Sequence, residues 1–125
     1  MKPFALAALL LLLPGCVLVA GAAVGAGIVY AAGEDTCEVR VDVGGAAAFA
    51  ASLEEVIRRG TLDSSDEARG VVEARVGDSS VEVSVIEEDG GGHSLVRVKA
   101  RKLVGLAPDR ATAETVAVAV VKRTR

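Results

Sequence analysis

Residues 71–104, VVEARVGDSSVEVSVIEEDGGGHSLVRVKARKLV, decide the fold because valines alternate along them with charged and polar residues. A period of two is typical of strands that have one apolar face and one solvent-exposed face. Two turn signals, Gly77-Asp78-Ser79-Ser80 and Asp89-Gly90-Gly91-Gly92, interrupt the alternation. The stretch therefore predicts a meander of three antiparallel strands: Val71–Val76, Val81–Glu88 and His93–Val104.

The lengths of the two turns predict the register of the meander. A four-residue loop at 77–80 pairs Val76 with Val81, Ala74 with Val83 and Val72 with Val85. A four-residue loop at 89–92 pairs Glu88 with His93, Val85 with Val96 and Val83 with Val98. Both loops place the valines on one face, whereas a slip of one residue would turn them outward.

The opposite face of the meander receives three rows of side chains from the same register. The predicted rows are Arg75, Glu82 and Lys99; Glu73, Ser84 and Arg97; and Val71, Ile86 and Leu95. Opposite charges across strands stabilise a sheet, so we interpret the basic residues as internally paired. The aliphatic row has two readings: the connection Thr61–Gly70 folds over it, or it is a site for a partner protein or for self-association.

The segments on either side of the meander supply one more strand and two helices. Cys37, Val39, Val41 and Val43 alternate with charged residues and predict a half-buried strand. Helical spacing follows over Ala46–Arg59, with Phe49, Leu53, Val56 and Ile57 on the apolar face and Glu54, Glu55 and Arg58 off it. Pro108 and Asp109 open a second helix, Ala111–Lys122, whose apolar stripe is Ala113, Val116, Ala117 and Val120.

The resulting order, β-α-β-β-β-α, predicts an α/β (α+β) two-layer sandwich. We expect an antiparallel sheet of about four strands with both helices on one face, because that face is apolar and the helices remove it from water. We expect Phe49, Leu53, Ile57, Val116 and Val120 to provide that cover. This domain would occupy residues 34–125.

The N-terminus has the pattern of an export signal. Lys2 precedes an uninterrupted apolar run, Phe4–Leu13, which has the length of a signal peptide and is too short to span a bilayer. The run ends in Leu13-Pro14-Gly15-Cys16, which resembles the lipobox of bacterial lipoprotein precursors. That resemblance implies that residues 1–15 are removed, that Leu13, Pro14 and Gly15 are recognised by the signal peptidase, and that Cys16 receives a covalent lipid.

Residues 16–33 carry the chain from the lipidated cysteine towards the domain. Residues 17–32, VLVAGAAVGAGIVYAA, contain no charge, and Gly21, Gly25 and Gly27 have the small-residue spacing of close helix contacts in lipid. The many glycines also weaken a helix. A flexible apolar tether is therefore the first interpretation, and a short membrane-dipping or self-associating helix is the second.

The lipobox, the Gly/Ala-rich stretch ending near Tyr30 and the βαβββα pattern together resemble the DUF3568 group of uncharacterised bacterial lipoproteins. The likeness covers nearly the whole chain and brings no catalytic residues with it. At the level of fold, the order also resembles helix-grip domains of outer-membrane assembly lipoproteins. Because Val17 rather than Asp follows the cysteine, resemblance to enterobacterial sorting implies the periplasmic face of the outer membrane.

The remaining residues give little support for catalysis or for cofactor binding. His93 follows three glycines and has no cysteine near it, so it gives little support for a metal site. Cys37 lies on the apolar phase of its strand, where we expect a buried thiol; a disulfide between two chains is the alternative. Glu87-Glu88-Asp89 reads as a solvated loop edge, and Ser64-Ser65 and Ser79-Ser80 as turns. No nucleophile–base pair is recognisable, so we expect a non-enzymatic protein with no cofactor, no metal and no small-molecule substrate.

Charge is distributed unevenly along the chain. Residues 34–92 carry fifteen acidic and five basic side chains, whereas residues 93–125 carry eight basic and two acidic ones. We expect these charges to face each other within the sheet, and we expect no nucleic-acid partner. The expected partners are membrane lipid, through the anchor, and a protein partner or a second copy. The function that follows is a structural or interaction module of the cell envelope, or alternatively an accessory subunit of an envelope assembly or transport complex.

Overall fold

An antiparallel sheet organises residues 29–125, the part of the chain that the computed structural model describes. The strands are β1 (Val29–Ala31), β2 (Thr36–Val41), β3 (Thr61–Asp66), β4 (Val71–Val76), β5 (Ser79–Glu88), β6 (His93–Lys102) and β7 (Ala107–Pro108). The two helices are α1 (Gly45–Arg59) and α2 (Arg110–Arg123), and a short 3-10 turn, Asp89–Gly91, joins β5 to β6. The strands lie in the order β1-β2-β6-β5-β4-β3, and β7 also pairs with β6.

The predicted mixed α+β class and the order β-α-β-β-β-α are confirmed, but the expected number of about four strands is wrong. The described sheet has seven strands, and the three that the sequence did not predict are β1, β3 and β7. β1 lies within the range 16–33 that the sequence assigned to the tether. β3 lies in the predicted connection 61–70, and its polar sequence TLDSSD is almost wholly exposed. A strand exposed on both faces has no apolar alternation, so backbone pairing with β4 defines it.

The core lies between the sheet and the two helices. Val83, Val96 and Val98 are completely buried on the helix-covered face, and each such side chain contributes roughly 1.5–3 kcal/mol through its removal from water. Of the residues expected on the helices, Phe49, Val116 and Val120 are buried and Leu53 packs against the core. Ile57 was wrongly placed, because it is 52% exposed, whereas Val56, which was also expected on the apolar face, is buried.

The register of the β5–β6 hairpin is confirmed, and that of the β4–β5 hairpin is wrong by two residues. Glu88 pairs with His93 and Val83 with Val98, as expected. Val72, however, pairs with Val83 rather than Val85, because the turn contains only Gly77 and Asp78. Gly77 has φ +59°, which the first position of a type II′ turn requires. A shift of two keeps every valine on its predicted face.

Side chains and backbone fix where the helices begin and end. Asp109 caps α2 by accepting a hydrogen bond from the Thr112 N–H at 3.2 Å. Ser79 donates a hydrogen bond from its hydroxyl to the same carboxylate, which ties α2 to β5. At the end of α1, Gly60 lies so close to β4 that a Cβ atom there would be 1.9 Å from the carbonyl oxygen of Arg75. Only glycine fits this approach.

Candidate interaction surface

The helices cover one face of the sheet and leave the other uncovered. We call this uncovered surface the open face; it is formed by outward-pointing residues of β2, β4, β5 and β6. Alternation places on it Thr36, Glu38, Arg40, Val71, Glu73, Arg75, Ser80, Glu82, Ser84, Ile86, Leu95, Arg97, Lys99 and Arg101. The surface is therefore dominated by charged and polar groups, with three aliphatic residues at one end.

Ion pairs hold two basic residues of β6 on the open face. Arg97 Nε lies 2.6 Å from Glu38 Oε2, and Arg101 Nη1 lies 2.6 Å from Asp35 Oδ2. Hydrogen bonds from Thr36 and then from Arg101 hold the pKa of Asp35 below its usual value. The expected internal pairing thus exists for Arg97 and Arg101, with partners on β2 and the turn before it rather than on β4.

The two charged rows predicted across β4, β5 and β6 contain the wrong residues of β4. Glu82 lies opposite Lys99, as expected, but Glu73 rather than Arg75 lies on its other side. Arg75 lies opposite Ser80 instead. Two carboxylates directly across strands repel each other, a destabilising arrangement worth a few tenths of a kcal/mol to about 1 kcal/mol. Glu73 and Glu82 are thus neighbouring carboxylates, and Lys99 lies on the other side of Glu82.

The predicted aliphatic row is also changed by the register. Ile86 lies opposite Leu95, and Ile86 is 45% exposed. Val71 lies opposite Ser84, so it is a diagonal neighbour of Ile86 rather than a member of the same row. The connection Thr61–Gly70 does not cover the patch, because β3 extends the sheet beside β4.

His93 and Cys37 occupy the kinds of position that the sequence suggested. His93 is half exposed at the end of the β5–β6 hairpin, and its Nε2 lies 3.5 Å from Asp42 Oδ1. Cys37 is buried, as expected, and burial followed by the nearby Glu114 charge raises the pKa of its thiol to about 11. Within residues 29–125, no three His, Cys, Asp or Glu side chains are grouped to hold a metal ion.

Three carboxylates have structural partners that the sequence did not indicate. Glu87 is exposed, as expected, and it also accepts a hydrogen bond from the Gly45 N–H at 3.2 Å, at the N-terminus of α1. Glu88 Oε1 lies 3.1 Å from Arg40 Nε. Glu55, which the helical pattern placed off the apolar face, is only 2% exposed and binds Arg59 and Arg123. The i,i+4 spacing to Arg59 was the only signal for Glu55 in the sequence.

Sequence reasoning missed the loop after β6. The strand was expected to continue to Val104, but it ends at Lys102. The loop Leu103–Leu106, which we call the Leu103 loop, exposes 63% of Leu103, 99% of Val104 and 83% of Leu106. One available signal was Lys102, which falls in the inward phase after Val98 and Ala100 and so marks the end of the buried alternation.

The residues of the expected anchor, Leu13, Pro14, Gly15 and Cys16, lie outside the described residues, as does most of the expected tether. No helix between residues 29 and 125 combines the length and apolar character that a membrane span needs. No protein-family model matches the chain, and no curated protein is similar enough to count as a relative. The resemblance to the DUF3568 group therefore stays a prediction.

Proposed function

We propose that this chain is a membrane-anchored bacterial lipoprotein whose domain is a non-enzymatic structural or interaction module of the cell envelope. The observation that carries the proposal is Leu13-Pro14-Gly15-Cys16 at the end of the apolar run Phe4–Leu13. In this proposal the lipid on Cys16 holds the protein at the periplasmic face of the outer membrane. Two or three acyl chains anchor a protein stably, whereas a single chain gives only marginal binding.

The open face supports an interaction role for the domain. It is not covered by either helix, and it presents Ile86 beside Leu95 among paired charges. Contiguous exposed apolar side chains with a polar rim are a feature of protein contact sites. A second candidate function follows from this: an accessory subunit of an envelope assembly or transport complex that offers this face to a partner protein.

The anchor is tested by Cys16→Ala in cells labelled with radioactive palmitate. We expect this variant to lose the label and to keep the mass of the full-length precursor. The matched control is Cys37→Ala, which removes the other cysteine of the chain and should keep the label. Equal labelling of both variants, or an unchanged mass in Cys16→Ala, would contradict the proposal.

The accessory-subunit candidate is tested by purification from detergent-solubilised envelope. We expect a defined protein to co-purify with the wild-type chain and to be lost in Ile86→Asp. Arg75→Gln is a suitable control, because it changes an exposed residue at the other end of the open face. If the partner is retained by Ile86→Asp, the aliphatic patch is not its docking site.

A further inference from the structure

The two ends of the sheet present different surfaces. At one end lies the β5–β6 connection, with Glu88 opposite His93. At the other end, which we call the loop end, the β4–β5 turn lies next to the Leu103 loop, because Ser79 pairs with both Val76 and Lys102. β1 runs towards the loop end, since Val29 pairs with Val39 and Ala31 with Cys37.

Two residues of the Leu103 loop have a backbone conformation that is unfavourable for their side chains. Leu103 and Val104 both have φ +55°, in the left-handed region that glycine and asparagine tolerate and that β-branched residues strongly disfavour. Hydrogen bonds nevertheless hold the loop in this shape: the Leu106 N–H donates to the Leu103 carbonyl at 3.1 Å, and Arg101 Nε donates to the Gly105 carbonyl at 2.9 Å. Retained strain of this kind is typical of functional segments.

The exposed apolar side chains of the loop form a protruding tip with cations beside it. Val104 is 99% exposed, so its side chain projects from the domain. Arg75 and Lys102 share a shallow depression with Leu103 and Val104, together with a single carboxylate, that of Asp78. A second depression, beside Gly105, holds Asp63, Glu73 and Glu82 together with Lys99 and Arg101, so the cations nearest the exposed apolar side chains are Arg75 and Lys102. An apolar tip with two cations directly beside it matches the layers of an anionic bilayer, whose acyl region lies beneath phosphate groups.

We propose that the Leu103 loop inserts into the interface of an anionic lipid bilayer and gives the domain a non-covalent membrane contact of its own. A fluid bilayer accepts a convex tip without a complementary pocket, whereas a protein partner must supply one. Leu103, Val104 and Leu106 would enter the upper acyl region, and Lys102 and Arg75 would meet lipid phosphates. This contact is additional to the proposed lipid on Cys16 and does not require it.

A single tryptophan can test the insertion, because the native chain has none. We would compare Val104→Trp with the matched control Gly92→Trp, which lies at the opposite end of the sheet where an added side chain meets open space. Each full-length variant is reconstituted into vesicles of phosphatidylethanolamine and phosphatidylglycerol. We expect the Trp at 104 to show blue-shifted emission, protection from acrylamide and quenching by brominated lipid, and the Trp at 92 to show none of these.

Two further arms make the result decisive. Adding Leu103→Asn and Leu106→Asn to Val104→Trp should restore quenching by acrylamide, since the tip then lacks its apolar neighbours. Equal acrylamide quenching at 104 and 92 would overturn the proposal. Protection at 104 that rises with protein concentration but is insensitive to brominated lipid would also overturn it, because a second copy of the chain would then cover the loop. Repeating the measurement with Cys16→Ala separates the two proposals: protection at 104 that persists in that variant, while the Trp at 92 stays accessible to acrylamide, does not depend on the lipid on Cys16.

Discussion

Glu55 on α1 and Arg123 in the last turn of α2 form an ion pair with 2.9 Å between Oε2 and Nε, although 68 residues separate them in sequence. The carboxylate is 2% exposed, and its second oxygen, Oε1, lies 2.7 Å from Arg59 Nε. A buried carboxylate is tolerated when charged partners satisfy both of its oxygens. This pair therefore links the two helices over the sheet.

Removal of Arg123, one partner of this ion pair, should lower the free energy of unfolding. Arg123→Ala leaves the buried Glu55 with Arg59 alone, and we expect the free energy of unfolding to fall by about 2 kcal/mol. The matched control is Glu54→Gln. Glu54 also lies 3.0 Å from Arg123, but its side chain is 64% exposed, so its loss should change stability by less than about 0.5 kcal/mol. Urea denaturation measures both, and equal effects would show that the buried pair is not special.

The same carboxylate should make stability depend on pH. Burial raises the pKa of Glu55, but hydrogen bonds from Arg123 and Arg59 outweigh it and leave the pKa below the ordinary value of 4.5. A lowered folded-state pKa gives stability that is present above pH 4.5 and is lost as the pH falls through the folded-state pKa. We expect Glu55→Gln to flatten this acid limb, measured by urea denaturation across the acid range. The exposed control Glu67→Gln should follow the wild-type curve.

Some parts of the fold depend on local sequence pattern and were predictable from it. Other parts depend on partners far away in the sequence, and for that reason they were not predictable. The inward-pointing valines of β4, β5 and β6, such as Val72, Val83 and Val98, face the helices under either turn length, so the layer was predictable while the register of the first hairpin was not. β3 is held by backbone pairing with β4 and by a hydrogen bond from Ser64 to Glu73, and it carries no apolar period. Glu55 looked exposed because its partner Arg123 lies on another helix. For the proposed site, Ile86 and Leu95 were placed together correctly, whereas Val71 followed the mistaken register.

The N-cap of α2 should contribute measurably to stability. Asp109 accepts hydrogen bonds from the Ser79 hydroxyl and from Thr112, and these, in that order, lower the pKa of its carboxyl group. Asp109→Ala removes the cap and the tie to β5, and we expect a loss of about 1–2 kcal/mol at neutral pH. Thermal unfolding measures this loss. The control Thr115→Ala, at an exposed position within the helix, should leave the unfolding temperature nearly unchanged.

The backbone of the Leu103 loop predicts a substitution that stabilises the domain. Asparagine tolerates the left-handed region better than a β-branched residue does, so Val104→Asn should raise the free energy of unfolding by about 1 kcal/mol. Leu106→Asn makes the same kind of change in a neighbour that is also exposed but whose φ is not positive, and it should have little effect. Comparison of the two by urea denaturation isolates the backbone contribution. No gain in Val104→Asn would show that the loop is not strained.

The last prediction concerns two neighbouring residues of β5 that point to opposite faces. Ile86 is 45% exposed on the open face, and Val85 is 9% exposed against the helices. An aspartate at position 86 keeps its hydration, so Ile86→Asp should change the free energy of unfolding by less than about 0.5 kcal/mol. An aspartate at position 85 would be buried without a partner, and Val85→Asp should cost at least about 3 kcal/mol. Thermal and urea unfolding of both variants test the assignment of faces. A large loss in Ile86→Asp would mean that another part of the chain covers the patch, and the patch would then be unavailable to any partner.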